Sequence, residues 1–171
     1  IINQAQDNVK HDLNSGREVY REETENIKDI MRFTALRFFI RNALIENDIE
    51  TLKSKLEEIR KQESLDILTL TDENGRVIVR ARNPSVTGDS QRQDEVIGRI
   101  LASKDLIAGT VIVPKEALLK EGPDLAEQAY MEIIHTQKEK LSPQTEQTSG
   151  MMIKAAAPVL SHDGSLIGVL Y

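Results

Sequence analysis

The chain has 171 residues, of which 39% are hydrophobic and 29% are charged, and its formal net charge is -6. This composition is that of one folded domain with a full core, and basic residues scattered through an acidic chain argue against a nucleic-acid-binding surface. No cysteine is present, which excludes disulfides, cysteine metal sites and thiol nucleophiles. No apolar run reaches the roughly 20 residues that a membrane span needs.

The first predicted element is a helix from about Asn8 to Ile45, a stretch without proline whose apolar residues recur at helical spacing. Its first half is polar with a thin apolar seam, so we expect it to project and to pair with a second copy in a parallel homodimer. Packing of residues 1 to 25 on the domain's own surface is the alternative. The second half, IMRFTALRFFIRNALI, is apolar around much of its circumference and is predicted to lie in the core.

A second helix is predicted over residues 47 to 62, with Asn47 as N-cap and Glu50 three positions later, as in a capping box. The segment SLDILTLTDENGRVIVRARNP follows. It contains two alternating runs around a turn at Gly75, which predicts a β-hairpin. Beyond it, the pattern predicts a short helix over about residues 92 to 102 and a strand, IAGTVIVP.

Residues 115 to 134 have a helical pattern that EGPD interrupts, and residues 136 to 149 are predicted to form a polar loop. MMIKAAAPVL and SLIGVLY then form a second predicted hairpin. Five strands with inserted helices indicate a single α+β domain on an antiparallel sheet. It divides into a long N-terminal helix (1 to 46), a second helix (47 to 62) and the sheet region (65 to 171).

Catalytic patterns are weak in this chain. Its three histidines lack companions at metal-ligand spacing, and no GxSxG, SxxK, GxGxxG or GxxxxGK[ST] motif occurs. We therefore expect neither enzymatic activity nor a bound cofactor or metal in this segment.

Basic residues on the predicted strands are better candidates for a binding site. The face of the second strand that we expect to pack on the long helix contains Val77, Val79 and Ala81. The opposite face contains Ile78, Arg80 and Arg82. Such a face is either solvated or lines a pocket for an anion.

Lys154 is a lone charge within MMIKAAAPV, on the same predicted face of the fourth strand as Met152 and Ala156. Burying an unpaired ammonium costs several kcal/mol. Lys154 must therefore reach water, pair with an acidic side chain or contact a ligand anion.

Two segments, SLDILTLTDENGRVIVRARNPSVTGD and MMIKAAAPVLSHDGSLIGVLY, together resemble the Cache domain, the PAS-like extracytoplasmic sensor of bacterial histidine kinases and chemoreceptors. The segment LRFFIRNALIENDIETLKSKLEEIRKQ resembles the helical lead-in of the double-Cache type. The resemblance covers about residues 30 to 115 and 150 to 171. It implies a sheet with the long helix across one face and a small-molecule pocket on the other. It also implies periplasmic localisation and membrane anchoring by flanking segments outside this chain.

In carboxylate-sensing relatives, one basic residue lies on the second strand ahead of an Asn/His-Pro element, and another lies four residues before the proline of the fourth strand. Here the first position is Arg80, with Arg82 and Asn83 close behind it, and the second is Lys154. The resemblance thus implies that these residues contact a small anionic ligand such as an organic acid.

Three features weaken the match with such relatives. The lysine offers a point charge where a bidentate arginine is usual, and Ala156 stands where an aromatic wall is common. The segment between Pro114 and Gly150 is long enough to form a lid or to fill the pocket. Ala156 and Thr110, the latter on the third predicted strand, are included among the candidate ligand contacts.

Two other interpretations remain open from the sequence. One is a ligand-free module of the same fold that serves dimerisation or protein interaction. The other is a cytosolic PAS-like or GAF-like domain that holds a cofactor, which the lack of cysteine, the scarcity of aromatic residues and the absence of a well-placed histidine disfavour.

Overall fold

In the computed structural model, which describes residues 2 to 136 and 143 to 171, a long N-terminal helix leads into a five-stranded antiparallel sheet. The helices are α1 (Ile2–Ala35), α2 (Phe38–Ile45), α3 (Ile49–Gln62), α4 (Glu95–Ser103), α5 (Lys115–Glu121) and α6 (Pro123–Gln128). The strands are β1 (Thr69–Asp72), β2 (Val77–Arg80), β3 (Ile107–Val113), β4 (Met131–Glu132), β5 (Glu146–Gln147), β6 (Gly150–Leu160) and β7 (Leu166–Leu170).

The main sheet has the order β2-β1-β7-β6-β3, and all its neighbouring strands are antiparallel. Helix α1 crosses β6, where Met31 and Ala35 share a core with the small side chains of Ala155 and Ala157. Helix α3 adds a buried stripe of Leu52, Leu56 and Ile59 to the same core. The predicted α+β class, with a long helix on a five-stranded antiparallel sheet, is confirmed. None of the helices in the described part of the chain is long and apolar enough to cross a membrane.

The single helix predicted from Asn8 to Ile45 is wrong at one point, because the chain leaves the helical path at Leu36 and Arg37. Arg37 has an extended backbone (φ -63°, ψ 126°) and begins α2. The change of direction brings Ile40 and Ala43 into the core. Burying a side chain the size of isoleucine stabilises by roughly 1.5–3 kcal/mol, which exceeds the net value of about 0.5–1.5 kcal/mol for a backbone hydrogen bond lost at the break.

The outer side of this region is more exposed than its composition predicts. Phe33, Leu36, Phe38 and Ile45 each leave more than half of their surface in solvent. The expectation that IMRFTALRFFIRNALI lies in the core therefore holds for only one side of α1 and α2. Apolar residues lie around much of this region, but the rest of the domain covers only one face of it, so the apolar residues on the other face stay exposed.

The N-cap of α3 is Asp48 and not the predicted Asn47. The Asp48 carboxylate accepts hydrogen bonds from the backbone N–H and the hydroxyl of Thr51, at 3.1 and 2.6 Å. Asn47 instead adopts a left-handed conformation (φ 56°) in the tight connection between α2 and α3, a conformation that asparagine tolerates better than most residues.

The β1–β2 hairpin turns at Gly75, whose φ of 77° confirms the predicted positive-φ position. Its pairing shifts, however, because Leu70 and Thr71 of β1 oppose Val79 and Val77 of β2, so that Ile78 is an extra residue in a bulge. Adjacent residues of a strand face opposite sides. Val77 therefore lies on the face opposite Val79, and Ile78 packs against the helix-side core. The predicted faces of Val77 and Ile78 are wrong, since strict alternation cannot reveal a bulge.

The middle of the chain follows its predicted order with corrected bounds. Helix α4 begins at Glu95 behind the N-cap Asp94, and Gly122 separates α5 from α6 as EGPD predicts. The helical prediction is wrong beyond Gln128, because β4 is extended and pairs with β5 in the predicted polar loop. Residues 137 to 142 of that loop lie outside the described residues.

Substitution of Gly168 tests the close approach of β7 to its neighbours. A Cβ atom at Gly168 would lie 2.5 Å from the Thr71 carbonyl oxygen and 3.0 Å from a methyl group of Leu44. We expect Gly168→Ala to lower the free energy of unfolding by about 1–3 kcal/mol, measured by urea denaturation. Gly109→Ala is the matched control on β3, where a Cβ meets no atom within 4 Å. Equal effects of the two substitutions would contradict this packing.

Candidate functional site

A cavity of about 740 Å³ lies beside the arginine-bearing face of the sheet and is bounded by α4, α5 and β3. Its wall includes Arg80, Asp94, Thr110, Glu121, Lys154 and Tyr171. It also reaches Ile27 and Met31 of α1, so it is not confined to the face away from the long helix. Its volume is within the range of small-molecule binding sites.

Arg80 is a fully buried cation in this wall, with a side-chain exposure of 0%. Its Nε donates to Glu121 Oε1 at 2.8 Å. Its Nη1 donates to the Val86 carbonyl at 2.8 Å and to Asp89 Oδ1 at 2.7 Å, and Nη2 donates to Asp89 Oδ2 at 3.0 Å. The guanidinium therefore connects β2 to α5 and to the segment after β2.

These contacts fix the ionisation of the cluster. Burial by itself would lower the pKa of Arg80, but the hydrogen bonds and negative charges of Asp89 and Glu121 outweigh it and raise that pKa further. The hydrogen bond from Arg80 is also the main reason that the pKa of Asp89 is well below its usual value, with Lys120 contributing at 3.2 Å. Arg80 and Asp89 are thus both charged over the whole physiological pH range.

Glu121 is the buried acid of the cluster, with 6% of its surface exposed. One carboxylate oxygen accepts from Arg80, and the other accepts from the Thr69 hydroxyl at 2.8 Å. Thr69 pairs with Arg80 across β1 and β2, so both donors lie on the same face of the sheet. The last residue of α5 is thereby attached to two strands.

Lys154 is also paired with an acid. Its Nζ donates to Asp94 Oδ2 at 2.7 Å and lies 4.3 Å from the centroid of the Tyr171 ring, while its side chain is 11% exposed. The other oxygen of Asp94 accepts from the backbone N–H groups of Val96 and Ile97 and so caps α4. One carboxylate therefore joins the start of α4 to the middle of β6.

The structure distributes the remaining candidate residues around the cavity. Thr110 lies in the cavity wall, and its hydroxyl donates to the Tyr20 hydroxyl of α1 at 3.0 Å. Arg82 forms an ion pair with Asp124, and Asn83 donates to the Lys120 carbonyl. Ala156 is fully buried against α4. Of the six candidates, Arg80, Thr110 and Lys154 line the cavity, and Arg82, Asn83 and Ala156 do not.

Three wall residues that contact Arg80 or Lys154 were not identified from the sequence: Asp94, Glu121 and Tyr171. Asp94 had a detectable signal, because aspartate directly before a helical apolar pattern is a typical N-cap. Glu121 and Tyr171 had none, since their roles depend on contacts with residues distant in the sequence. Acidic side chains outnumber basic ones in the wall, a balance that the isolated strand patterns did not indicate.

A long N-terminal helix on a five-stranded antiparallel sheet, with a cavity beside the sheet, is the architecture of a PAS-like sensor domain. The family model dCache_3, described as the double sensory domain of two-component sensor kinases, matches residues 2–171. The chain therefore belongs to the dCache_3 family. Domains of this kind are extracellular and sensory, not catalytic. A search of curated proteins found no match.

Substitution of Arg80 tests the buried charge cluster. Arg80→Gln leaves the Glu121 carboxylate buried without its cation, so we expect the free energy of unfolding to fall by about 3–5 kcal/mol. Arg76→Gln is the matched control, because Arg76 is exposed on the same hairpin, and losing its solvent-exposed hydrogen bond to the Gly88 carbonyl should lower stability by no more than about 1 kcal/mol. Urea denaturation measures both variants. Similar values would show that the cluster contributes no more than a surface charge.

Proposed function

We propose that this chain is the extracytoplasmic input domain of a membrane-anchored bacterial signal transducer, a sensor histidine kinase, and that it binds a small organic acid in the cavity. Lys154 is the observation that carries this proposal. Its ammonium lies in the cavity wall, mostly removed from water, and forms an ion pair with the carboxylate of Asp94. A ligand carboxylate can therefore bind Lys154 by displacing one partner.

Arg80 has a different role in this proposal. Its guanidinium is committed to two carboxylates and one carbonyl, and none of its surface is exposed. Breaking these contacts to reach a ligand would leave Glu121 buried and unpaired, which is costly. Arg80 is therefore proposed as a residue that positions the wall, and Lys154 as the residue that contacts the ligand anion.

The charges of the wall favour a ligand with a single negative charge. The acidic side chains of the wall include Asp94 and Glu121, both close to the proposed site. Additional carboxylate or phosphate groups on the ligand would be repelled by these acids, and the other cations among the described wall residues, Arg80 and Lys120, already form ion pairs with Glu121 and Asp89. A monocarboxylate fits this arrangement better than a dicarboxylate or a phosphate.

Ligand binding also supplies a route for a signal. When a ligand carboxylate replaces Asp94 on Lys154, Asp94 keeps its two backbone hydrogen bonds as the cap of α4. The ion pair between α4 and β6 is then lost, while the apolar packing of α4 on Ala156 remains. Helix α1 crosses β6. A ligand that favours the state without this ion pair therefore shifts the equilibrium between different positions of β6 relative to α1. The kinase output lies outside this chain.

A ligand-free interaction module of the same fold is the second candidate function. It is favoured by the fact that both basic residues of the proposed site already have acidic partners. In that case the pairs are purely structural, and no small acid stabilises the domain.

A thermal-shift series tests the proposed ligand. We expect a small monocarboxylate such as propionate or lactate, at about 100 times its dissociation constant, to stabilise the chain by about 2.7 kcal/mol. Succinate and phosphate should stabilise it less. Lys154→Ala should abolish the effect, whereas Lys61→Ala, which removes the same charge from an exposed site on α3, should retain it.

Stabilisation that persists in the Lys154→Ala variant would show that the acid binds elsewhere. A complete absence of stabilisation by all four compounds would favour the ligand-free module. Stronger stabilisation by succinate than by propionate would overturn the charge argument.

We further propose that the domain forms a parallel homodimer through α1. Val9, Leu13 and Tyr20 form an apolar stripe on this helix, and 57%, 56% and 46% of their surfaces are exposed. They line one shallow groove together with Gly16, where an added Cβ atom would meet no atom within 4 Å. The helix is about 50 Å long at about 1.5 Å per residue, which offers a long seam to a second copy.

Substitutions on α1 test the dimer by sedimentation equilibrium. Leu13→Asp places a charge in the proposed seam, so we expect the dimer dissociation constant to rise by about tenfold or more. Asn14→Asp adds the same charge at the next position, away from the stripe, and should leave the constant within about twofold. A monomeric parent chain, or equal effects of both variants, would contradict the proposal.

A further inference from the structure

The hydroxyl group of Tyr171 is a buried polar group of the cavity wall without an evident role. Only 6% of Tyr171 is exposed, and within residues 2 to 136 and 143 to 171 its hydroxyl has no hydrogen-bond partner. The other buried polar side chains beside it are satisfied: Arg80 by Asp89 and Glu121, and Thr69 by Glu121. A buried hydroxyl without a partner destabilises a fold, so this group calls for a specific reason.

The position of the Tyr171 ring is fixed by its surroundings. Its backbone N–H donates to the Thr69 carbonyl at 2.9 Å, and its carbonyl accepts from the Thr69 N–H at 2.7 Å. The ring packs with Ile97 of α4 and Ala156 of β6. The hydroxyl is therefore held in the wall by the sheet and by α4.

The charge environment keeps this hydroxyl protonated. Burial raises the pKa of Tyr171 well above its usual value of 10, and the negative charge of Glu121 raises it further. A protonated phenol is both a donor and an acceptor. The group that it suits is a neutral hydroxyl, since a second carboxylate would be repelled by Glu121.

The ammonium of Lys154 lies over the ring that carries this hydroxyl, 4.3 Å from its centroid. One small ligand can therefore contact both groups. We propose that Tyr171 is a specificity-determining residue, whose hydroxyl hydrogen-bonds a neutral hydroxyl group of a monocarboxylate bound at Lys154. The ligand class is then a small hydroxy acid. This inference rests on the proposed function, because it places the ligand's carboxylate on Lys154.

Lactate and propionate are the probes, because they share a carboxylate and a carbon skeleton and differ in one hydroxyl group. We expect the chain to bind lactate about tenfold more tightly than propionate in isothermal titration calorimetry, the effect of one additional buried hydrogen bond. Tyr171→Phe should reduce this ratio to about one and leave the affinity for propionate unchanged. Its melting temperature should stay the same or rise, because the variant removes an unpaired buried hydroxyl.

Lys154→Ala separates this inference from the proposed function. One outcome is that Lys154→Ala abolishes binding of both acids while Tyr171→Phe leaves the preference for lactate intact. In that case the proposed site stands and the proposed role of Tyr171 is overturned, because its hydroxyl then does not bind the ligand. A lower melting temperature of Tyr171→Phe would show that the hydroxyl has a structural partner, which also contradicts the inference. Failure of both acids to bind the parent chain overturns the ligand class.

Discussion

The buried guanidinium of Arg80 is the contact on which the cavity wall depends. It joins β2, the segment that contains Val86 and Asp89, and the end of α5. These parts lie up to 41 residues apart in the chain, and apolar packing alone would give them no unique register. The directional hydrogen bonds of a planar guanidinium supply that register. The cluster therefore fixes the shape of the wall, and the Arg80 guanidinium, whose three nitrogens all donate hydrogen bonds within it, is not the group proposed to bind a ligand.

Lys154 and its partner differ from this cluster in one respect. Asp94 has two alternative sources of stabilisation, the ammonium of Lys154 and the backbone N–H groups at the start of α4. Losing the first leaves the second in place, so the carboxylate is never left unpaired. The wall thus combines a cation held by three partners, Arg80, with a cation whose carboxylate partner has other hydrogen bonds, Lys154, and the proposed function assigns the ligand contact to the second. Such a division suits a sensor domain, in which binding must change a contact without unfolding the site.

Local pattern predicted most of this fold, because each predicted feature depended on neighbours in sequence. Gly75 marked the hairpin turn, and the alternating runs marked the five strands of the sheet. The break at Arg37 and the exposure of Phe33 and Phe38 could not be predicted, since they depend on which side of the helix the sheet covers. For the site, alternation placed Arg80 and Lys154 on the correct faces. Glu121 lies 41 residues from Arg80 and Asp94 lies 60 residues from Lys154 along the chain, and no local pattern connects these pairs.

The bulge at Ile78 has a consequence for how this family can vary in length. Arg80 opposes Thr69, and Val77 opposes Thr71. Because Thr69 and Thr71 share a face of β1, Val77 and Arg80 share a face of β2, although they are three positions apart in the sequence and not two. Loss of the extra residue would restore a regular ladder and leave both side chains on that face. The hairpin can therefore lose one residue between its turn and Arg80 without moving the side chains of β2 to the opposite face of the sheet. Homologues that differ by one residue here can still align at the arginine.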